Sequence, residues 1–257
     1  MKILLSGEGP TDLGACTNAQ GRCSGADLRI GPMAVLLSQR MAGRLGYDVI
    51  DYPDALDLIT ETALCNYAKT HATGRLRPAR SQKQAAETGY YRTNAQALGH
   101  LAGSLERETD VPVLPVLFRD SDGTRSSPAT LWEDKWHSIC NGFASAGFIG
   151  GVPMLPKPKS EAWVIAAASP TLRDCAPLEA LPGNDRSPNS AKERLDATMG
   201  RHLSGEELAD WLREHPIDDA QAARMGTMPS FRQFTDALDE ALSGLLCDDW
   251  RTRHAPI

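Results

Sequence analysis

No apolar run in these 257 residues approaches the ~20 residues that a membrane-spanning helix needs. The opening Met1-Lys2-Ile3-Leu4-Leu5-Ser6 has neither the apolar length nor the small-residue cleavage site of a secretory leader, so a cytoplasmic protein that makes no membrane contact is expected. Six cysteines, at 16, 23, 65, 140, 175 and 247, include no Cys-x-x-Cys pair. Their wide separation suggests neither a zinc site nor a disulfide framework, and free thiols are the expectation. His71, His100, His137, His202, His215 and His254 also lack zinc-ligand spacing, and none is assigned a catalytic role. There is no internal repeat and no low-complexity tract. A net charge of −6 argues against a generally basic nucleic-acid-binding coat.

Hydrophobic residues make up 41% and charged residues 23%, as in an ordinary globular chain able to bury a sizeable core. Lys2 to Ser6 reads as a strand. A glycine-rich loop follows, then Ala34, Leu36, Leu37, Met41 and Leu45 at helical spacing, with Gly46 to close the helix. Tyr47 to Tyr52 reads as a second strand and Ala55 to Tyr67 as a helix. Thr73 to Gly89 reads as an exposed loop or short helix, and a longer helix runs from Thr93 past Leu105 into the strand Val113 to Phe118. A helix over Leu131 to Ala146 and a strand over Gly147 to Leu155 continue the alternation. This pattern predicts an α/β fold, a mostly parallel sheet flanked by helices, over residues 1–170, with a basic insertion at about 53–92. Residues 171–257 form a helical C-terminal extension, in which Ser230 is the expected cap of a helix carrying Phe231, Phe234, Leu238, Ala241, Leu242 and Leu245 on one buried face.

The chemistry gathers at strand ends, where open α/β sheets collect their functional groups. The first strand ends in Gly7-Glu8-Gly9-Pro10-Thr11-Asp12, and the strand Val116-Leu117-Phe118 ends in Arg119-Asp120-Ser121-Asp122-Gly123-Thr124. Glu8, Asp12, Asp120 and Asp122 form a set of hard oxygen donors of the kind that Mg²⁺ or Mn²⁺ takes, and a cation would offset their mutual repulsion. If a helix starts at the first turn, Glu8 and Asp12 share one side of it. Asp120 and Asp122 reach one cation only if the chain turns there. A third strand end, Pro156-Lys157-Pro158-Lys159-Ser160-Glu161, offers Lys159 to stabilise charge or protonate a leaving oxygen, and Glu161 as a further ligand or a group behind the ligands. The competing reading is a plain helix start with Ser160 as cap, Glu161 facing the dipole and solvated lysines. Arg75, Arg77, Arg80, Lys83 and Arg92, with Tyr90 and Tyr91, form a basic stretch that suits nucleic-acid phosphates and base stacking, or else a solvated loop.

The acidic turn after the first strand and the later Asp120-x-Asp122 resemble the Toprim superfamily of topoisomerases, primases and OLD-type nucleases. That resemblance implies magnesium held by Glu8, Asp120 and Asp122, with Asp12 matching the extra acid of OLD nucleases and Lys157 or Lys159 matching their downstream lysine. The strand before Lys157, the Glu161-Ala162-Trp163 helix start, the polar segment ending at Lys192 and the Pro229-Ser230-Phe231 helix together look like a bacterial family of stand-alone Toprim-like proteins. Members of that family are often paired with an AAA or SMC-like ATPase and associated with phage defence. The implied activity is Mg²⁺- or Mn²⁺-dependent nuclease action on DNA or RNA, alongside such an ATPase. Two alternatives stand beside it. Asp120-Ser121-Asp122-Gly123-Thr124 also satisfies the haloacid-dehalogenase phosphatase signature, with Asp120 as nucleophile and Asp122 as acid/base, and a non-catalytic subunit that docks an ATPase would keep the same fold.

Overall fold

The computed structural model describes residues 1–71, 82–122, 130–148 and 150–246. Strand β1 (Lys2–Gly7) is buried from Ile3 to Ser6, the continuous run of a strand covered on both faces. The chain then makes an excursion of three short strands, β2 (Gly14–Cys16), β3 (Arg22–Ser24) and β4 (Leu28–Ile30). Helix α1 (Pro32–Leu45) follows, with proline in its first turn and Gly46 closing it at φ 77. Strand β5 (Leu56–Thr60) leads directly into α2 (Glu61–Thr70), which the Thr60 side chain caps by accepting from Ala63 N.

The long helix α3 (Gln82–Thr109) feeds β6 (Val113–Phe118), all six residues of which are buried. Helix α4 (Leu131–Ser145), strand β7 (Val152–Met154) and helix α5 (Ser160–Ala168) complete the alternation. Four helices follow: α6 (Ala191–Met199), α7 (Gly205–Glu214), α8 (Asp219–Met225) and α9 (Pro229–Leu246). Ser190, Ser204 and Asp218 cap the first three, and Ser204 with Glu207 forms a reciprocal capping box.

Among the described residues the main sheet has the order β3-β5-β1-β6-β7, in which only the β3–β5 pair is antiparallel. β2 and β4 form a separate antiparallel ribbon. Alternate strand residues face opposite ways, so Ile3, Leu5, Leu114, Val116 and Phe118 pack on one side with α1, α5 and α7 to α9. Leu4, Val113 and Leu117 pack on the other with α2, α3 and α4. The chain is thus α/β, with a mostly parallel sheet between helical layers. The C-terminal helices share the first of these cores, and the apolar face of α9, from Phe231 and Phe234 to Leu245, is buried there as expected. No helix among the described residues is long and apolar enough to cross a membrane.

Several local expectations are corrected. Tyr47 to Tyr52 is not a strand: Val49–Asp51 and Pro53–Ala55 are 3₁₀ turns, the first capped by Asp48. The strand is the following segment, β5, taken in the sequence for the start of a helix. Short apolar runs fit both periods, and pairing with β1 decides the matter. Helix α3 begins at Gln82, well before Thr93, while β7 is shorter than expected. Ser230 does not precede α9 but lies buried in its first turn, where its hydroxyl accepts from Trp163 Nε1 at 3.0 Å.

The expectation of free thiols fails at one pair. Cys16 and Cys23 form a disulfide, because β2 and β3 bring their Cα atoms to 5.5 Å across the intervening turn. Cys65, Cys140 and Cys175 are free.

Candidate active site

Three adjacent strands, β1, β6 and β7, deliver their carboxyl ends to one edge of the sheet. After β1 the chain does not enter a helix. It makes a tight turn in which Asp12 N and Leu13 N both donate to Gly9 O, at 3.2 and 3.4 Å. Gly9 sits at φ 76, and a Cβ there would stand 2.6 Å from Asp12 Oδ2, so only glycine lets Asp12 fold back over the turn. Glu8 and Asp12 therefore share this edge through a turn, in place of the expected face of a helix.

After β6, Arg119 N still bonds Met154 O, at 3.1 Å, while Ser121 N and Asp122 N both reach Pro158 O. Asp122 takes φ 44, in the left-handed region. Helix α5 starts at the third strand end. Its cap position is Lys159, without a side-chain bond, so the reading of Ser160 as cap is corrected. Ser160 is instead the first residue of the helix and buried, with its backbone N–H donating to Asp120 Oδ1 at 2.8 Å and its hydroxyl to Asp12 Oδ1 at 2.8 Å. One serine thus links the acids of two strand ends, using an N–H that helix geometry leaves without an intrahelical partner.

Glu8 joins the same cluster from the other side. Its Oε1 accepts from Asp120 N at 3.1 Å, and its Oε2 from Arg119 at 2.5 Å. The electrostatics follow from gathering acids where water is scarce. Burial pushes Asp120 well above the usual carboxylate range, and Asp12, Glu161 and Glu8 push in the same direction against the Ser160 N–H. Burial also raises Asp12, opposed by Ser160, Thr11, Lys159 and Lys192. Glu161 is raised by burial and by Asp12. Glu8 is raised by burial, with Arg119 pulling it down and Asp122 pushing it up.

Asp122 differs from its neighbours. Its side chain is 60% exposed, at the rim of the cluster, with Lys159 Nζ 3.7 Å away. Lys159 is not a solvated lysine: Nζ also bonds Asp185 Oδ1 at 2.9 Å, which brings the polar segment 184–192 to the site. Burial pulls the Lys159 ammonium down, but the bond to Asp185 and the charges of Asp122 and Glu161 outweigh it and its pKa is raised. Of the basic stretch, Arg75, Arg77, Arg80 and the side chain of Lys83 lie outside the described residues. Arg92 donates to Ser145 Oγ at 3.0 Å, tying α3 to α4. Tyr90 and Tyr91 flank the Arg119 guanidinium, at 4.5 and 5.3 Å from its carbon, so their faces are used within the protein.

Sequence reasoning passed over Arg119, Glu61 and Lys135, and one of its two readings of the third strand end took Ser160 for a cap. Arg119 Nη1 bonds Glu61 Oε1 at 2.7 Å. Lys135, buried on α4, donates to Ser121 O at 2.7 Å and so holds the Asp120–Asp122 loop from beneath. A charged residue at the end of an apolar strand was the one available signal for Arg119. Nothing local marks Lys135, which occupies a core position of an amphipathic helix.

Whether the acids suit a divalent cation is a matter of donors and of arrangement. The donors are carboxylate oxygens held in mutual repulsion, which is the chemistry of a Mg²⁺ or Mn²⁺ site. In arrangement, no three Asp, Glu, His or Cys side chains among the described residues stand ready around one point. The set fits the ion in kind, and side-chain rotation would have to complete it. No family model, curated protein or solved structure matches this chain.

Proposed function

We propose that the protein is a Mg²⁺- or Mn²⁺-dependent nuclease of Toprim type, hydrolysing phosphodiester bonds of DNA or RNA, and that it acts in the cytoplasm with an AAA or SMC-like ATPase in phage defence. One observation carries the reading: Glu8, Asp12, Asp120 and Glu161 come from three neighbouring strand ends into one electrostatically coupled cluster. Such a concentration of raised carboxylates costs stability, and functional sites are where that cost is tolerated. The phosphatase alternative gives Glu8 no task, whereas here Glu8 is bonded directly to the backbone of Asp120.

A bound divalent cation would supply Lewis-acid polarisation of the phosphodiester. Glu8, Asp12 and Asp120 are the residues to hold it, with Asp122 at the rim and Glu161 behind. Ser160 keeps Asp12 and Asp120 in register through its two donors. Lys159, oriented by Asp185 and Asp122, presents a cation beside the acids and can donate to a phosphate or leaving oxygen. Nucleic-acid backbone would be held by Arg75, Arg77, Arg80, Lys83 and Arg92.

The test incubates purified protein with supercoiled plasmid, linear DNA and RNA in Mg²⁺, Mn²⁺ or EDTA, beside Glu8→Ala and Asp120→Ala and a phosphomonoester. Metal-dependent cleavage lost in both variants is expected. Phosphomonoester turnover that needs Asp120 and ignores Glu8 would overturn the reading in favour of the phosphatase.

A further inference from the structure

We infer that Arg119 is a positioning residue for Glu8, and that Glu61 and Tyr90 position Arg119 in turn, so that helices α2 and α3 set one carboxylate of the site. The activity arm of this inference rests on the nuclease reading; the structural arm does not. Gly7 ends β1 and Gly9 opens the turn, so neither chain neighbour has a side chain to pack against Glu8 and orient it. Its orientation comes from β6 instead, where Arg119 Nη2 donates to Oε2 at 2.5 Å and Asp120 N to Oε1 at 3.1 Å. A carboxylate has about four acceptor sites, and these contacts use one on each oxygen. Glu8 is thereby held in one orientation with acceptor capacity left on both oxygens.

Arg119 is itself over-determined. Nη1 donates to Glu61 Oε1 at 2.7 Å, and the Tyr90 hydroxyl donates to the same oxygen at 2.6 Å. The Tyr90 and Tyr91 rings lie 4.5 and 5.3 Å from the guanidinium carbon, and the Tyr91 hydroxyl donates to Asp120 O at 3.1 Å. A planar fork between two carboxylates and against two aromatic rings is a task for arginine that lysine, a point charge on a flexible stem, does not reproduce. Glu61 lies at the start of α2 and Tyr90 on α3, so a shift of either helix is transmitted to Glu8 through a single guanidinium.

The test uses the full chain with Arg119→Lys, Arg119→Ala and Glu61→Gln, with folding checked by circular dichroism. In the structural arm, hydrogen exchange by NMR follows the Asp120 amide, whose acceptor is Glu8, against the β6 amides of Val113, Leu114, Val116 and Leu117. Exchange at Asp120 is expected to quicken about tenfold in Arg119→Lys, the weight of one charged hydrogen bond, with the β6 amides unchanged. In the activity arm, kcat is expected to fall about 100-fold, as for a small misplacement of a reacting group, with KM for nucleic acid held within about twofold; Glu61→Gln gives a smaller fall of the same kind. An unchanged Asp120 amide in folded Arg119→Lys overturns the inference, as does a raised KM at constant kcat, which would make Arg119 a substrate contact. If Arg119 variants fail to fold, Glu61→Gln decides by the same two readouts. Faster Asp120 exchange in a protein that cleaves nothing upholds the positioning role and sinks the nuclease reading alone.

Discussion

The hydroxyl of Ser160 donates to Asp12 Oδ1 at 2.8 Å, joining residues 148 positions apart. Through the same residue's backbone N–H, the acid of β1's turn is tied to the acid that ends β6. Ser160→Ala removes the first tie and keeps the second. Because Ser160 is buried and its partner is a carboxylate, a loss of about 1–2 kcal/mol is expected in urea unfolding. A change within about 0.5 kcal/mol, the range of an ordinary surface substitution, would show that the contact does not hold the turn.

Asp120 faces the charges of Asp12, Glu161 and Glu8 in a desolvated position. Asp120→Asn keeps an acceptor for Ser160 N and removes one charge from the cluster. Without added cation the variant is expected to be more stable than the parent by about 1–2 kcal/mol, as when a functional site's strain is relieved. Mn²⁺ at about 100 times its Kd should stabilise the parent by about 2.7 kcal/mol and leave the variant unmoved. Thermal unfolding with and without Mn²⁺ checks both, and a destabilised Asp120→Asn would refute the idea of repelling acids.

Away from this cluster, Glu179 accepts from Ser230 N at 2.7 Å, and burial raises its pKa against the Ser230 bonds that lower it. An acid raised in the folded state favours folding most below its ordinary pKa, and that contribution is lost as pH rises through the raised value. Glu179→Gln, which keeps the acceptor without the charge, is expected to flatten the decline of stability above about pH 4.5, the ordinary glutamate range. Urea unfolding of both proteins from pH 4 to 8 measures this; parallel curves would show that Glu179 does not contribute to the slope.

The Cys16–Cys23 disulfide closes a short loop, with a sequence separation of 7. Loop-closure entropy for such a ring amounts to about 2.5 kcal/mol. Cys16→Ser with Cys23→Ser, or treatment with a dithiol reductant, is therefore expected to lower stability by up to that amount. Since cytosolic thiols are generally kept reduced, the proposed compartment makes this a physiological question as well. Equal unfolding midpoints with and without reductant would show that strand pairing alone holds the β2–β3 excursion.

Much of the architecture is decided locally. The apolar run Val113 to Phe118 is a strand over the very residues expected, α1 ends at Gly46, and α9 buries the face marked by Phe231, Phe234 and Leu238. Strand ends are local features too, which is why Glu8, Asp12, Asp120 and Asp122 stand out as a group in the sequence with Glu161 as a supporting acid, whereas the fold leaves Asp122 at the rim. β5 was not legible, because a short buried run satisfies both periods until a neighbouring strand pairs with it. The disulfide depended on β3 joining the sheet edge antiparallel to β5. Ser160 and Arg119 were missed for the same reason: their partners lie 148 and 111 positions away, and a hydrogen bond has no periodicity along the chain. Periodicity along the sequence tells which residues face inward and where a strand stops, whereas which carboxylate meets which donor is set only when the parallel strands are laid side by side.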